Sequence, residues 1–309
     1  MSLFDKYGFN KDLLESIKKL KFIEPTPIQD KVIPEILSSE VDIIATAQTG
    51  TGKTAAFGLP IINLTNNREK TIECVILCPT RELCLQITKD LNVYSENIKH
   101  FRIVAIYGGS RVDTQIKGLK QNPKIIVCTP GRLNDLIKRR RVDLGHIKYF
   151  VLDEADEMLS MGFKSEIDII LEHVPQNRKI YLFSATLSKK VTAITKTYMK
   201  NALTISTSVA NKGADTVKHI YYVTKQSDRY DIIRNIIDVN KDIYTIIFCR
   251  TRRETKDISN NLIQNNYKAS VLNGDLSQEE RDRVMNKFRT QQIKILVATD
   301  VASRGIDVN

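Results

Sequence analysis

Apolar residues in this chain fall into short dense runs separated by longer periodic stretches. The runs "VDIIATA", "CVILCPT", "FRIVAIY", "KIIVCTP", "YFVLDEA" and "KIYLFSAT" are nearly continuous in aliphatic residues, many of them β-branched. A strand without polar alternation is buried on both faces, which is how strands of a covered parallel sheet read. Between the runs lie amphipathic stretches such as "RELCLQITKDLNVYSENI", long enough for the helices that cover such a sheet. Residues 206–216 break the pattern: they are small and polar, lack helical periodicity and read as a linker. The alternation then restarts with "HIYYVT", "YTIIFCR", "KASVLNG" and "IKILVATD". The pattern predicts an α/β protein with two tandem parallel-sheet domains, residues 1–205 and 217–309. The first has a full set of strands. The second has four candidates, and we expect it to be incomplete at its C-terminus.

Composition changes this picture little, and charge changes it more. A length of 309 residues suits two domains, and 42% hydrophobic residues supply ordinary cores. No apolar run reaches the roughly 18 residues a membrane span requires, and "MSLFDKYGFN" contains no apolar signal segment. Cys74, Cys78, Cys84, Cys128 and Cys249 are odd in number and form no CxxC. They are expected to be buried, reduced thiols of a cytoplasmic protein rather than disulfides or zinc ligands. The net charge of +11 suits an anionic partner, nucleic acid or polyphosphate. It is divided as +7 over residues 1–205 and +4 over the remainder, so no basic tail carries it. The run Lys138-Arg139-Arg140-Arg141 reads first as a solvated helix end, with nucleic-acid contact as the lesser reading.

Two stretches carry chemistry. In "VDIIATAQTGTGKTAAF" a strand, a Gly-rich turn and a helix start follow in order. The phosphate-loop pattern G-x-x-x-x-G-K-[ST] fits Ala47, Gln48, Thr49, Gly50, Thr51, Gly52, Lys53 and Thr54, with alanine in place of the first glycine. Glycines let backbone N–H groups approach phosphate oxygens, and the helix start adds its positive dipole end. Lys53 can reach the β- and γ-phosphates, and Thr54 can offer its hydroxyl to Mg²⁺. In "YFVLDEADEML" an apolar strand ends on acids. Asp153 is assigned to the metal and Glu154 to polarising the attacking water, because adjacent strand residues face opposite ways. Asp156 is expected to orient these groups or to pair with a cation.

The tetrapeptide Asp153-Glu154-Ala155-Asp156, placed after this phosphate loop, resembles the name-giving motif of the DEAD-box RNA helicases. The similarity runs from Phe4 to Asp307. "EPTPIQ" (24–29), "PTREL" (79–83), Gly108-Gly109, "TPGR" (129–132), "SAT" (184–186), "IIFCRT" (246–251), "QEER" (278–281) and "ATDVASRGID" (298–307) follow in family order. The resemblance implies two RecA-like domains, ATP and Mg²⁺ as cofactors, RNA as partner, and RNA-dependent ATP hydrolysis coupled to local duplex unwinding. It implies that Phe22, Thr26 and Gln29 belong to an adenine-binding Q motif. A glutamine amide can pair with adenine N6 and N7 but not with guanine O6. Phe22 and Phe4 remain open between base stacking and core packing.

The same resemblance implies that Pro79, Thr80, Arg81, Gly109, Thr129 and Arg132 hold one half of a sequence-independent RNA backbone track. Thr251, Gly274 and Thr299 would hold the other half. Ser184 and Thr186 would link nucleotide state to strand separation, and Gly305 and Asp307 would complete the ATP site. Gln278 and Arg281 resemble the family's QxxR pair. This chain departs from the family pattern at Lys21, Cys84 and Asn273, where glycine, alanine and histidine are usual. The family's next motif, an arginine-rich helix that neutralises the transferring phosphoryl group, is absent from these 309 residues. The expected reading is therefore a fragment, and it leaves two functions open: an RNA helicase, or an ATP-gated RNA clamp with negligible turnover. A DNA helicase is disfavoured by the resemblance alone.

Overall fold

Two of the apolar runs, "CVIL" and "IIVC", carry no polar residue, and they form strands buried at every position. In the computed structural model, which describes residues 3–48, 50–65, 69–207, 218–240 and 242–299, they are interior strands of a parallel sheet. The chain divides into two units, residues 1–212 and 213–309.

The first unit begins with helices α1 (Lys11–Lys19) and α2 (Pro27–Ser38). Strands and helices then alternate: β1 (Ile43–Thr46), α3 (Lys53–Leu64), β2 (Cys74–Leu77), α4 (Arg81–Tyr94), β3 (Ile103–Ile106), α5 (Val112–Leu119), β4 (Ile125–Cys128), α6 (Pro130–Lys138) and β5 (Tyr149–Leu152). Helices α7 (Ala155–Ser160) and α8 (Lys164–Glu172), strand β6 (Lys179–Ser184), helix α9 (Lys189–Tyr198) and strand β7 (Leu203–Ser206) complete it. The strand order is β3-β4-β2-β5-β6-β1-β7, and every pairing is parallel. One face is covered by α1 to α4, whose Leu13, Val32, Phe57 and Ile87 pack with Ile43, Ile76 and Phe183. The other is covered by α5 to α9, with Leu133, Met158, Ile170 and Ile194 on Val75, Ile126 and Phe150. Because all strands run one way, their C-terminal ends share one edge of the sheet.

Strand β7 was not among the predicted strands. It is a short edge strand whose burial is confined to Ile205, so it lacks the dense apolar run that marked the others. The N-terminal ends of β2, β4 and β5 hold a buried ion cluster that the apolar pattern could not show. Glu73 and Lys124 are 0% and 2% exposed. Lys148 Nζ donates to Glu73 Oε2 at 2.9 Å, and Lys124 Nζ lies 3.7 Å from Glu73 Oε1.

In the second unit α10 (Arg229–Val239), β8 (Thr245–Cys249), α11 (Arg252–Gln264), β9 (Ala269–Leu272), α12 (Gln278–Arg289) and β10 (Ile295–Thr299) form a parallel sheet of order β8-β10-β9. Small apolar clusters cover its two faces, one with Ile237 and Leu262 and the other with Met285 and Phe288. The segment "HIYYVT" (219–224), predicted as a strand, is not one. Ile220, Tyr221, Tyr222 and Val223 are exposed, and no ladder partner lies beside them among the described residues. An alternating sequence becomes a strand only where a neighbour takes its backbone hydrogen bonds. Residues 208–217, which include most of the expected linker 206–216, lie outside the described residues. All five cysteines are buried, with free thiols. Among the described residues no helix is long and apolar enough to cross a membrane.

Candidate active site

The phosphate loop leaves β1 and turns into α3 at Gly52, whose φ of 87° lies in the left-handed region. Gly50 has φ 76°, so both glycines occupy backbone positions costly for other residues. A Cβ on Gly52 would also stand 2.3 Å from Gln29 Nε2. Ala47 replaces a family glycine without strain, since its φ is not positive and its methyl is fully buried. Its N–H donates to Ser184 O at 3.2 Å, extending the sheet by one residue. Lys53 is 7% exposed, and its ammonium donates to Ala47 O at 3.1 Å, inside the loop it would share with a phosphate. Thr51 Oγ1 donates to Gln48 O at 2.8 Å and braces the turn. The Thr54 hydroxyl has no hydrogen-bond partner among the described residues. Thr49 lies outside them.

Gln29 ties the Q motif to this loop. Its Oε1 accepts from Thr26 N at 3.0 Å, which caps α2, and its Nε2 donates to Gly52 O at 3.1 Å. The second Nε2 hydrogen and the second Oε1 lone pair remain for a base edge. Phe22 is half-buried between Phe4 and Tyr94, at centroid distances of 6.0 Å from each. Phe4 is fully buried and packs into the core.

The acids stand on the neighbouring strand ends. β5 stops at Leu152, so Asp153 and Glu154 lie beyond it and strand alternation does not separate them. A left-handed turn at Glu154 (φ 51°, ψ 49°) does so instead. Asp153 is 3% exposed, and its Oδ1 accepts from Glu154 N at 3.0 Å. Burial raises its carboxyl above the ordinary carboxylate value, opposed by the charge of Lys53. Glu154 is raised to about 7, by burial first and by the Asp153 charge second. Two crowded, buried carboxyls, both raised above their ordinary values, form a donor set whose charged forms gain from a cation. Among the described residues Asp156 pairs with no basic group. It accepts from Thr186 N at 3.0 Å and from Thr186 Oγ1 at 2.8 Å, joining α7 to the turn after β6. Ser184, fully buried, ends β6, and its Oγ donates to Thr186 O at 2.7 Å.

A second group of predicted residues lies along the same sheet edge. Thr80 and Thr129 stand at the N-caps of α4 and α6, and Thr80 Oγ1 accepts from Leu83 N at 3.2 Å. Pro79 precedes the first of these caps. Arg81 lies over the Tyr107 ring, 4.9 Å from its centroid. Gly109 has φ 80° in the turn after β3. Arg132 Nη1 donates to Gln115 Oε1 at 3.0 Å, and its Nη2 donates to Ser110 O at 3.1 Å. In the second unit Thr251 caps α11, accepting from Glu254 N at 3.1 Å. Gly274 lies against Arg252, whose guanidinium would be 3.1 Å from an added Cβ. Asn273, where the family usually has histidine, is fully buried, with Nδ2 donating to Thr255 Oγ1 at 2.8 Å. Thr299 ends β10. Gln278 begins α12 and donates to Asp282.

This arrangement agrees with known proteins over the whole chain. Residues 26–194 match the family described as DEAD/DEAH box helicase, and residues 228–309 match the helicase conserved C-terminal domain. The chain belongs to the DEAD/DEAH box helicases. The ATP-dependent RNA helicase CshA of Limosilactobacillus reuteri is 43% identical over 306 residues, covering 99% of this chain and 61% of that protein. A probable ATP-dependent RNA helicase of Methanocaldococcus jannaschii is 41% identical over 307 residues, covering 99% of this chain and 81% of that protein. The S. cerevisiae Dbp5 structure bound to RNA and ADP BeF3 superposes with a TM-score of 0.90 at 32% identity, covering 100% of this chain and 78% of that one. Against the CshA proteins of L. reuteri and Listeria monocytogenes, the chain spans 61% and 59% of their length.

Within the helicase fold, the sequence-predicted residues of the first unit stand on one sheet edge, except Phe22, Thr26 and Gln29, which lie at and before the start of α2. Lys53, Asp153, Glu154, Asp156, Ser184 and Thr186 come from the adjoining ends of β1, β5 and β6. Gly305 and Asp307 lie outside the described residues. Sequence reasoning missed Gln115, which is 5% exposed. It had a signal. In α5 the apolar stripe is Val112, Ile116 and Leu119, and helical spacing puts Gln115 on the same face. A polar side chain in a buried stripe must find partners, and this one bonds at both ends of its amide.

Proposed function

We propose that the chain is the ATP- and RNA-binding core of an RNA-dependent ATPase that locally unwinds short RNA duplexes. The observation that carries this reading is the convergence on one sheet edge of a phosphate loop with a buried lysine, two crowded carboxyls beside it, and an Asp156–Thr186 link between their strand ends. Gln29 selects adenine by its amide pattern while it holds Gly52 in place, so base and phosphate recognition meet in one side chain. Lys53 exchanges its Ala47 carbonyl for phosphate oxygens. Asp153 and Thr54 would hold Mg²⁺, which supplies positive charge to the phosphates when bound. Glu154 accepts the proton of the attacking water. The helix N-caps at Thr80 and Thr129, with Arg81 and Arg132, meet RNA phosphates without reading bases. The relatives' names as ATP-dependent RNA helicases support the same partner. Five buried free thiols suit a reducing cytoplasmic compartment.

The test is ATP hydrolysis by the 309-residue chain, with and without single-stranded RNA, beside a nucleotide-binding titration. Turnover stimulated by RNA is expected. ATP and RNA binding with no turnover would instead leave the ATP-gated clamp.

A further inference from the structure

Three motifs that the family resemblance assigns to the RNA backbone track lie far apart in sequence, at Arg81, at Gly108-Gly109 and at Arg132. One buried side chain ties them together. Gln115 Nε2 donates to Tyr107 O at 2.9 Å and to Ser110 Oγ at 2.6 Å, which closes the loop carrying the two glycines. Gln115 Oε1 accepts from Arg132 Nη1, while Arg132 Nη2 returns to Ser110 O on that same loop. These donors and acceptors fix which end of the amide is which, because a guanidinium cannot accept and a carbonyl cannot donate. Tyr107, held through its carbonyl, presents its ring to Arg81.

We infer that Gln115 is the positioning residue of the RNA-phosphate surface on the first unit. Resting on the RNA-track reading above, it makes one preorganised surface of Arg132, the glycine loop and, through Tyr107, Arg81. The physical reason is that a free arginine carries large rotamer entropy and a glycine loop large backbone entropy. Both would be lost again each time RNA binds unless something fixes them beforehand. Gln115 meets that need at low cost. It is on a helix, its aliphatic stem lies in the apolar stripe, and its amide is satisfied at both ends. Gln115 does not touch RNA in this account, so it contributes no phosphate contact of its own.

The test uses the 309-residue chain and a labelled single-stranded oligouridine, titrated by fluorescence anisotropy with a non-hydrolysable ATP analogue present. Gln115→Met keeps the buried volume and removes all three hydrogen bonds, and Gln115→Ala serves as a second variant. Both should weaken RNA binding about tenfold, the scale of losing hydrogen bonds to a charged group and its loop, with analogue affinity unchanged. Arg132→Ala should weaken RNA binding as well and lower the salt slope by roughly 0.7 for the one lost phosphate contact. Combining Arg132→Ala with Gln115→Met should cost less than the sum of the two singles, since the glutamine acts partly through that arginine. If Arg132→Ala leaves RNA affinity unchanged, the RNA-track reading itself fails. If Arg132→Ala weakens binding and neither Gln115 variant does, or if the double variant is additive, the positioning role is overturned. Parallel loss of analogue binding in both Gln115 variants would also overturn it, in favour of a purely structural role.

Discussion

Glu154 concentrates the strain and the electrostatics of the site in one residue. It sits in left-handed backbone without being glycine, a conformation that costs of order 1–3 kcal/mol and that clusters at functional positions. Its carboxyl is raised to about 7 from an ordinary value of 4.5, chiefly by burial. In the nucleotide-free chain the folded state therefore holds a proton that the unfolded state releases. Stability from this group is present below pH 4.5 and is lost as pH rises towards about 7. Glu154→Gln should accordingly raise the melting temperature relative to the parent at pH 8 and leave it nearly unchanged at pH 4. A larger gain at pH 4 than at pH 8 would reverse the sign argued here. The same variant should lower ATP turnover by about 10²–10⁴, the range for a general base, while ATP affinity persists. A titration beside a turnover assay reads both. The sequence named Glu154, but it gave the wrong reason for its orientation, because a strand's end residue is not visible in a motif.

At the scale of elements, three of the four threonines predicted as RNA contacts share a local role, while Thr299 ends β10. Thr80 and Thr251 spend their hydroxyls on helix caps, and Thr129 occupies the cap position of α6. The cap turns each helix start, with its unsatisfied N–H groups, towards the strand ends. The motif "PTREL" is thus a capping signature as well as a proposed contact, and the two readings do not compete. The buried ion cluster belongs to the same scale, at the opposite ends of the strands. Glu73 precedes β2, Lys124 precedes β4 and Lys148 precedes β5, so the charges bridge three loops. Lys124 also donates to the carbonyl oxygens of Glu69 and Thr71. Removing one partner leaves a desolvated charge, so Glu73→Ala should cost about 3–5 kcal/mol in urea denaturation. Replacing both partners, Glu73→Leu with Lys124→Met, should cost much less. A single variant as mild as the double would show that the cluster is better solvated than its burial indicates. No spacing rule exposes this cluster, since its members are 51 and 24 residues apart in the chain.

At the scale of the molecule, the two units differ in how much core they possess. The first buries both faces of a seven-stranded sheet, whereas the second covers three strands with small clusters and leaves Phe248 of β8 60% exposed. Local stability follows buried apolar contacts, so hydrogen exchange should be slowest in β2 and β4 and clearly faster throughout β8, β9 and β10. Equal protection in the two sheets would contradict this. The α/β class, six of the seven strands in the first unit and the order of the chemical motifs were legible because each is written locally. A strand buried on both faces has to be apolar, and a phosphate loop needs glycines and a lysine at fixed spacing. The sequence missed β7 and misassigned "HIYYVT" because an edge strand's ladder depends on a neighbour supplied from elsewhere in the chain. By itself it supplied the candidate residues proposed to bind ATP and RNA. The tertiary structure alone decided that Asp156 takes its bonds from Thr186, that Gln29 braces Gly52 and that Gln115 joins Arg132 to the glycine loop, since each depends on strands distant in sequence ending side by side.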